Sequence, residues 1–119
     1  MKIQFKMVEF TEIEVLKTEV YEFVNYQKTI IDRTTDDSEK YTRFILFGVG
    51  RELYFNFGKR IINNLKSHGK THCTFSVSIA EAAFLQYVCC FDLSNKKAFE
   101  KHTLERFGRM IDKQIKSII

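Results

Sequence analysis

Twice along this chain a run of strict alternation leads into a capping signal and then into apolar residues at helical spacing. That succession of periods limits the available folds more than any other feature. In the first run Ile3, Phe5 and Met7 alternate with Lys2, Gln4 and Lys6, which predicts a half-buried strand over about residues 2–9. Thr11 followed by Glu14 has the form of a capping box. Ile13, Leu16, Val20, Phe23, Val24 and Ile31 then recur at helical spacing, so a first helix is expected over roughly 12–32. In the second run Cys73, Phe75, Val77 and Ile79 alternate with Thr74, Ser76 and Ser78, predicting a strand at about 72–79. Ser78 and Glu81 make another capping box, and the helix after it, about 80–91, is nearly all apolar and therefore expected at the centre.

The polar run Arg33-Thr34-Thr35-Asp36-Asp37-Ser38 is the clearest loop, with Ser38 placed to cap the next element. Between the two strand-to-helix units lies an ambiguous stretch. Phe44-Ile45-Leu46-Phe47 resembles a buried strand, and Gly48 and Gly50 resemble a turn, which would give a hairpin at 41–57. Leu53, Phe57, Ile61 and Leu65 step by four, with Glu52, Asn56, Lys59 and Asn63 opposite, and this favours one amphipathic helix from about Lys40 to His68-Gly69. Each glycine inside it costs about 1 kcal/mol, offset where the missing side chain lets a second helix approach. After the short connection Asp92-Leu93-Ser94-Asn95, a last helix starts near 96, with Leu104, Phe107, Ile111, Ile115 and Ile118 on its apolar face.

The expected order is β-α-α-β-α-α, and the fold class is α+β, mainly helical. Two strands have only each other to pair with, so the simplest architecture is a two-stranded ribbon packed against helices. The two halves do not align residue by residue, which argues against a duplication. At 119 residues the chain is expected to form one domain, residues 1–119.

No membrane span is expected. The longest weakly charged stretch, Thr71 to Phe91, carries Thr71, His72, Thr74, Ser76 and Ser78 in strand alternation. The first residues break their apolar character with charge every few positions, unlike a secretory signal, and Lys2 is incompatible with myristoylation. The end of the sequence lacks a prenylation cysteine. Three cysteines, two of them adjacent, suit free thiols in a reducing compartment, and a cytoplasmic location is expected. The bias toward Phe, Ile and Lys fits an AT-rich genome, that of a low-GC bacterium, a phage or a mobile element, without choosing among them.

No catalytic or cofactor signature emerges. Gly58-Lys59 is followed by Arg60, and Leu53 stands where a phosphate loop needs its earlier glycine. Leu53 also replaces the third glycine that a dinucleotide fingerprint at Gly48-Val49-Gly50 would require. His68, His72 and Cys73 form a compact group with poor metal-ligand spacing, so no metal is expected. No glycine elbow or base spacing singles out a cysteine–histidine pair, and Glu12, Glu14, Glu19 and Glu22 read as a solvated helix face. A non-enzymatic role without cofactor is the expectation.

Charge is what stands out. Residues 1–40 carry six basic and nine acidic side chains, a balance of −3, and residues 41–119 carry thirteen and six, a balance of +7. On the last helix His102, Arg106, Arg109, Lys113 and Lys116 recur by four, three, four and three on the side opposite the apolar face. Lys59, Arg60, Lys66 and Lys70 add positive charge to a segment, Leu53 to Ala80, that has no acidic residue. These nine residues are the candidate site for an anionic macromolecule, a nucleic acid or a nucleoprotein complex, bound mostly through phosphate. Replacing Arg106, Arg109, Lys113 and Lys116 by Gln is expected to leave the fold intact. The alternative is a protein-interaction or inhibitor module using exposed aromatics, with Tyr21 and Tyr26, set away from the apolar centre of the first helix, as the first candidates. Such a surface would serve a homo-oligomer equally well.

Overall fold

The computed structural model describes residues 2–61, 71–91, 93 and 96–118. Six elements follow one another: β1 (Lys2–Glu9), α1 (Phe10–Arg33), α2 (Asp37–Ile61), β2 (His72–Ser78), α3 (Ile79–Cys90) and α4 (Ala98–Ile118). The order and the α+β class are those the alternation and helical periods imply. The stretch with two readings, 41–57, is helix throughout, within α2. The proposed stop at His68-Gly69 lies outside the described residues.

β1 and β2 form a two-stranded antiparallel sheet in which Ile3 faces Val77, Phe5 faces Phe75 and Val8 faces Cys73. From Phe5 to Val8 β1 advances three residues while β2 advances two, so β1 bulges. Met7 sits at the bulge with φ of 54° and is largely exposed, and Val8 takes the inward place assigned to Met7 by simple alternation. One inserted residue reverses the phase of everything after it. At Gln4 the outer edge of β1 is met by α4: the Gln114 side-chain amide accepts from the Gln4 N–H at 3.3 Å and donates to the Gln4 carbonyl at 2.9 Å.

α1 begins two residues before its expected start. Glu9 is the N-cap and Glu12, not Glu14, reaches back, its Oε1 accepting from the Glu9 N–H at 3.1 Å. At α2 the cap is Asp36 instead of Ser38, with the Asp36 carboxylate accepting from the Glu39 N–H at 2.8 Å. The Ser78/Glu81 capping box of α3 forms as the sequence predicts, by reciprocal bonds of 2.9 and 3.1 Å.

The inner face of the ribbon rests on two helices: Phe5 contacts Phe107 of α4 at 5.4 Å between ring centres, and Phe75 meets Phe57 of α2 edge-on at 5.6 Å. α1 and α2 run antiparallel through the short connection 34–36, and the six apolar residues assigned to the α1 face are all buried. Gln27 lies on that face too, and its Oε1 accepts from Arg43 Nη1 at 3.0 Å, so the buried amide oxygen is satisfied. α2 crosses α1 and α3 at Gly50, where a Cβ would come within 2.5 Å of Phe84 and 2.6 Å of Val24. Gly48, two residues earlier, has open space beside it, so the close-approach reading holds for Gly50 alone. No helix among the described residues is long and apolar enough to cross a membrane.

Candidate interaction surface

The basic stripe of α4 exists as a helix face, but its members differ. His102, Arg109, Lys113 and Lys116 are exposed. Arg106 instead turns inward and its guanidinium pairs with the carboxylate of Glu12, a buried residue. Lys116 is bonded to Asp112 one turn earlier at 2.8 Å. Among the described residues, only Arg109 and Lys113 of the four stripe cations have no carboxylate within ion-pair distance. Lys59 is exposed on α2, whereas the side chain of Arg60 and all of Lys66, His68 and Lys70 lie outside the described residues. The reading of the α1 glutamates as a solvated face also needs correction. Glu12 is committed to Arg106 and the α1 cap, and the mostly buried Glu19 carboxylate pairs with Lys96 at 2.8 Å.

His72 has both ring nitrogens engaged, Nδ1 with the Thr71 hydroxyl at 2.9 Å and Nε2 facing Glu9 Oε1 at 3.5 Å. Cys73 is half-buried against the core. No three His, Cys, Asp or Glu side chains converge as a metal-binding group among the described residues. Cys89 is buried, and desolvation, reinforced by Cys90 and Glu19, pushes its thiol up to about 12. From about pH 9 the unfolded chain's thiol ionises while the folded one stays protonated, so stability falls as pH rises toward 12 by about 1 kcal/mol per unit. Lys96, raised above its ordinary 10.5 chiefly by its hydrogen bond to Glu19, joins this loss only at higher pH. Urea midpoints measured between pH 8 and about 10 should therefore slope downward in the native protein and level out in Cys89→Ala.

A continuous apolar feature lies on α3 and α2 among the described residues. α3 is central on one side only: Ala82, Phe84, Leu85, Val88 and Cys89 are buried, while Ala80, Ala83 and Tyr87 form a second stripe, carried on by Phe91, that faces outward. Opposite it on α2, Ile45 is 66% exposed, with Leu46 and Val49 beside it. Together they line a groove of about 480 Å³ between α2 and α3, with Glu39, Thr42 and Arg43 at its rim. The two alanines keep this groove open, because a larger side chain at Ala80 or Ala83 would stand in it.

Tyr87, 51% exposed, belongs to that groove and also stacks on Phe91 with ring centres 6.0 Å apart. Phe91 in turn contacts Tyr26 of α1 at 6.3 Å, and Phe23 supports Tyr87 and Phe91 from below by edge-on contacts of 5.4 and 5.6 Å. A smaller pocket of about 230 Å³ opens at this end, floored by Phe23 and Val88 and edged by Tyr26, Phe91, Glu19, Glu22 and Lys96. Of the two tyrosines named from the sequence, Tyr26 joins this strip. Tyr21 does not; it packs on Tyr54 at 5.4 Å, beside the Lys17 ammonium.

Ile45, Tyr87 and Phe91 are absent from the sequence-derived candidates. The signal is present as a second helical stripe, Ala80, Ala83 and Tyr87, offset from Ala82, Leu85 and Cys89. A helix apolar on every side is ordinarily read as buried on every side, and that assumption hides it. No protein-family model, curated protein or solved structure matches the chain.

Proposed function

We propose that the chain is a protein-binding module whose partner docks along the strip from Ile45 through Tyr87 and Phe91 to Tyr26. The observation that carries this reading is Tyr87, a half-exposed aromatic that joins a preformed apolar groove to an aromatic cluster. Aromatic anchors beside a pocket are the usual carriers of binding energy between proteins. We place the protein in the cytoplasm, where an exposed thiol such as Cys90 stays reduced.

A second reading, docking on a nucleic acid or nucleoprotein complex through α4, is favoured by Arg109 and Lys113, exposed and without a carboxylate partner among the described residues. One capture experiment separates the two. Purified native protein, the Ile45→Ser/Tyr87→Ser variant and the Arg109→Gln/Lys113→Gln variant are each used as bait. All four positions are exposed, so the variants should fold with losses of about 1 kcal/mol or less. The expected result is a stoichiometric protein partner retained by the charge variant and lost at least tenfold by the strip variant. Loss in the charge variant alone, with nucleic acid in the eluate, would replace the first reading by the second.

A further inference from the structure

The two ends of the strip differ chemically, and the difference specifies what can lie on it. The groove between α2 and α3 is lined by aliphatic and aromatic side chains, and two packed helices present it as a channel suited to the apolar face of a third. The pocket at the other end is acidic. Glu19 and Glu22 edge it with Lys96 as the one cation in its lining, and the same three residues with Glu14 and Glu100 line an adjoining pocket. Lys96 is held by Glu19 at 2.8 Å and stands 3.6 Å from Glu22, so Glu22, with 60% of its side chain exposed, keeps most of its capacity to accept. Its neighbours in the pocket are the Tyr26 and Phe91 rings, whose faces favour a cation.

Resting on the protein-binding reading, we propose that the partner is a basic amphipathic helix: its apolar side chains fill the groove at Ile45 and Tyr87, and a Lys or Arg enters the Tyr26–Phe91 pocket against Glu22. Charge complementarity selects this occupant. The protein as a whole carries +4 and repels a cationic peptide, so attraction has to come from the local carboxylates. An acidic helix would meet Glu22 and Glu19 unfavourably, and a second copy of this chain would have to bring a basic residue to the same pocket.

The probe is a fluorescein-labelled peptide of about 16 residues built from Leu at i, i+3, i+4 and i+7 spacing with Lys elsewhere, compared with the same peptide carrying Glu in place of Lys. Anisotropy titrations at physiological ionic strength should show the Lys peptide binding at least tenfold tighter than the Glu peptide. Glu22→Lys should weaken Lys-peptide binding about tenfold with the protein still folded by circular dichroism, and Ile45→Ser/Tyr87→Ser should abolish it. Two results overturn the inference: equal binding of the two peptides, or Lys-peptide binding indifferent to Glu22→Lys. If both peptides bind equally and both are lost in Ile45→Ser/Tyr87→Ser, the docking strip stands and the basic partner falls. If neither peptide binds while sedimentation shows a dimer that Tyr87→Ser dissociates, the strip is a self-association surface and the inference is overturned in favour of a second copy.

Discussion

Arg106→Gln lowers the melting temperature by about 8–15 °C, a loss of about 2–3 kcal/mol, whereas Arg109→Gln and Lys113→Gln each stay within about 0.5 kcal/mol of the native protein. The three residues share one helix face, and only the first has a buried partner. Removing one member of a buried ion pair strands the other, at about 3–5 kcal/mol when both are fully enclosed. Here Glu12 is enclosed but about a third of the Arg106 side chain meets solvent, which brings the figure down. Glu12 also accepts from the Glu9 N–H, so its carboxylate cannot swing out to water without uncapping α1. Thermal unfolding of the single variants, together with Glu12→Gln/Arg106→Gln, checks this. The double variant should recover part of the loss, because a neutral amide at position 12 tolerates burial better than an unpaired carboxylate. A native melting temperature in Arg106→Gln would mean that the pair contributes nothing. The charge-to-Gln replacement of the entire stripe, harmless on the helical wheel alone, is therefore expected to destabilise through Arg106.

Gly50→Val is expected to destabilise by about 3 kcal/mol or more, and Gly48→Ala to stabilise by up to about 1 kcal/mol. A Cβ at position 50 would overlap the ring of Phe84 and a methyl of Val24. Neither atom can retreat freely: both residues are buried, and the Phe84 ring meets Phe23 edge-on at 5.4 Å. The helix would have to lift off α1 and α3 to admit the new methyls. At Gly48 the same addition meets nothing, and only the helical preference of alanine over glycine remains. Urea unfolding of both variants measures the contrast directly. Equal effects at the two positions would mean that α2 does not cross its neighbours at Gly50.

The elements of this fold are legible because period and capping agree. Alternation marks β1 and β2, Ser78 with Glu81 starts α3, and the four-residue steps through Leu53 and Phe57 outweigh the strand-like Phe44–Phe47. What stays hidden depends on three-dimensional proximity. Met7 looks like an inward strand residue until the bulge rotates it out, and the phase change is masked because Met7 and Val8 are both apolar. Glu12 resembles its neighbours Glu14 and Glu22 as a surface acid, and nothing local shows that Arg106, 94 residues later, will cover it. The candidate strip escapes notice for the opposite reason. Tyr87, Phe91 and Ile45 pass for core because they are apolar, but the core of a chain this size is filled by the other stripe of α3, and the surplus faces solvent.

The Gln114 amide gives the ribbon a neighbour on one of its two open sides, that of β1. A side-chain amide presents one carbonyl and one N–H in nearly the arrangement of a peptide group, so at Gln4 helix α4 acts as a single-residue third strand. The strand made earliest in this sequence is thereby closed by a residue 110 positions further along. Until α4 has been synthesised and docked, β1 leaves the backbone groups of Gln4 open to pairing with any extended segment it meets.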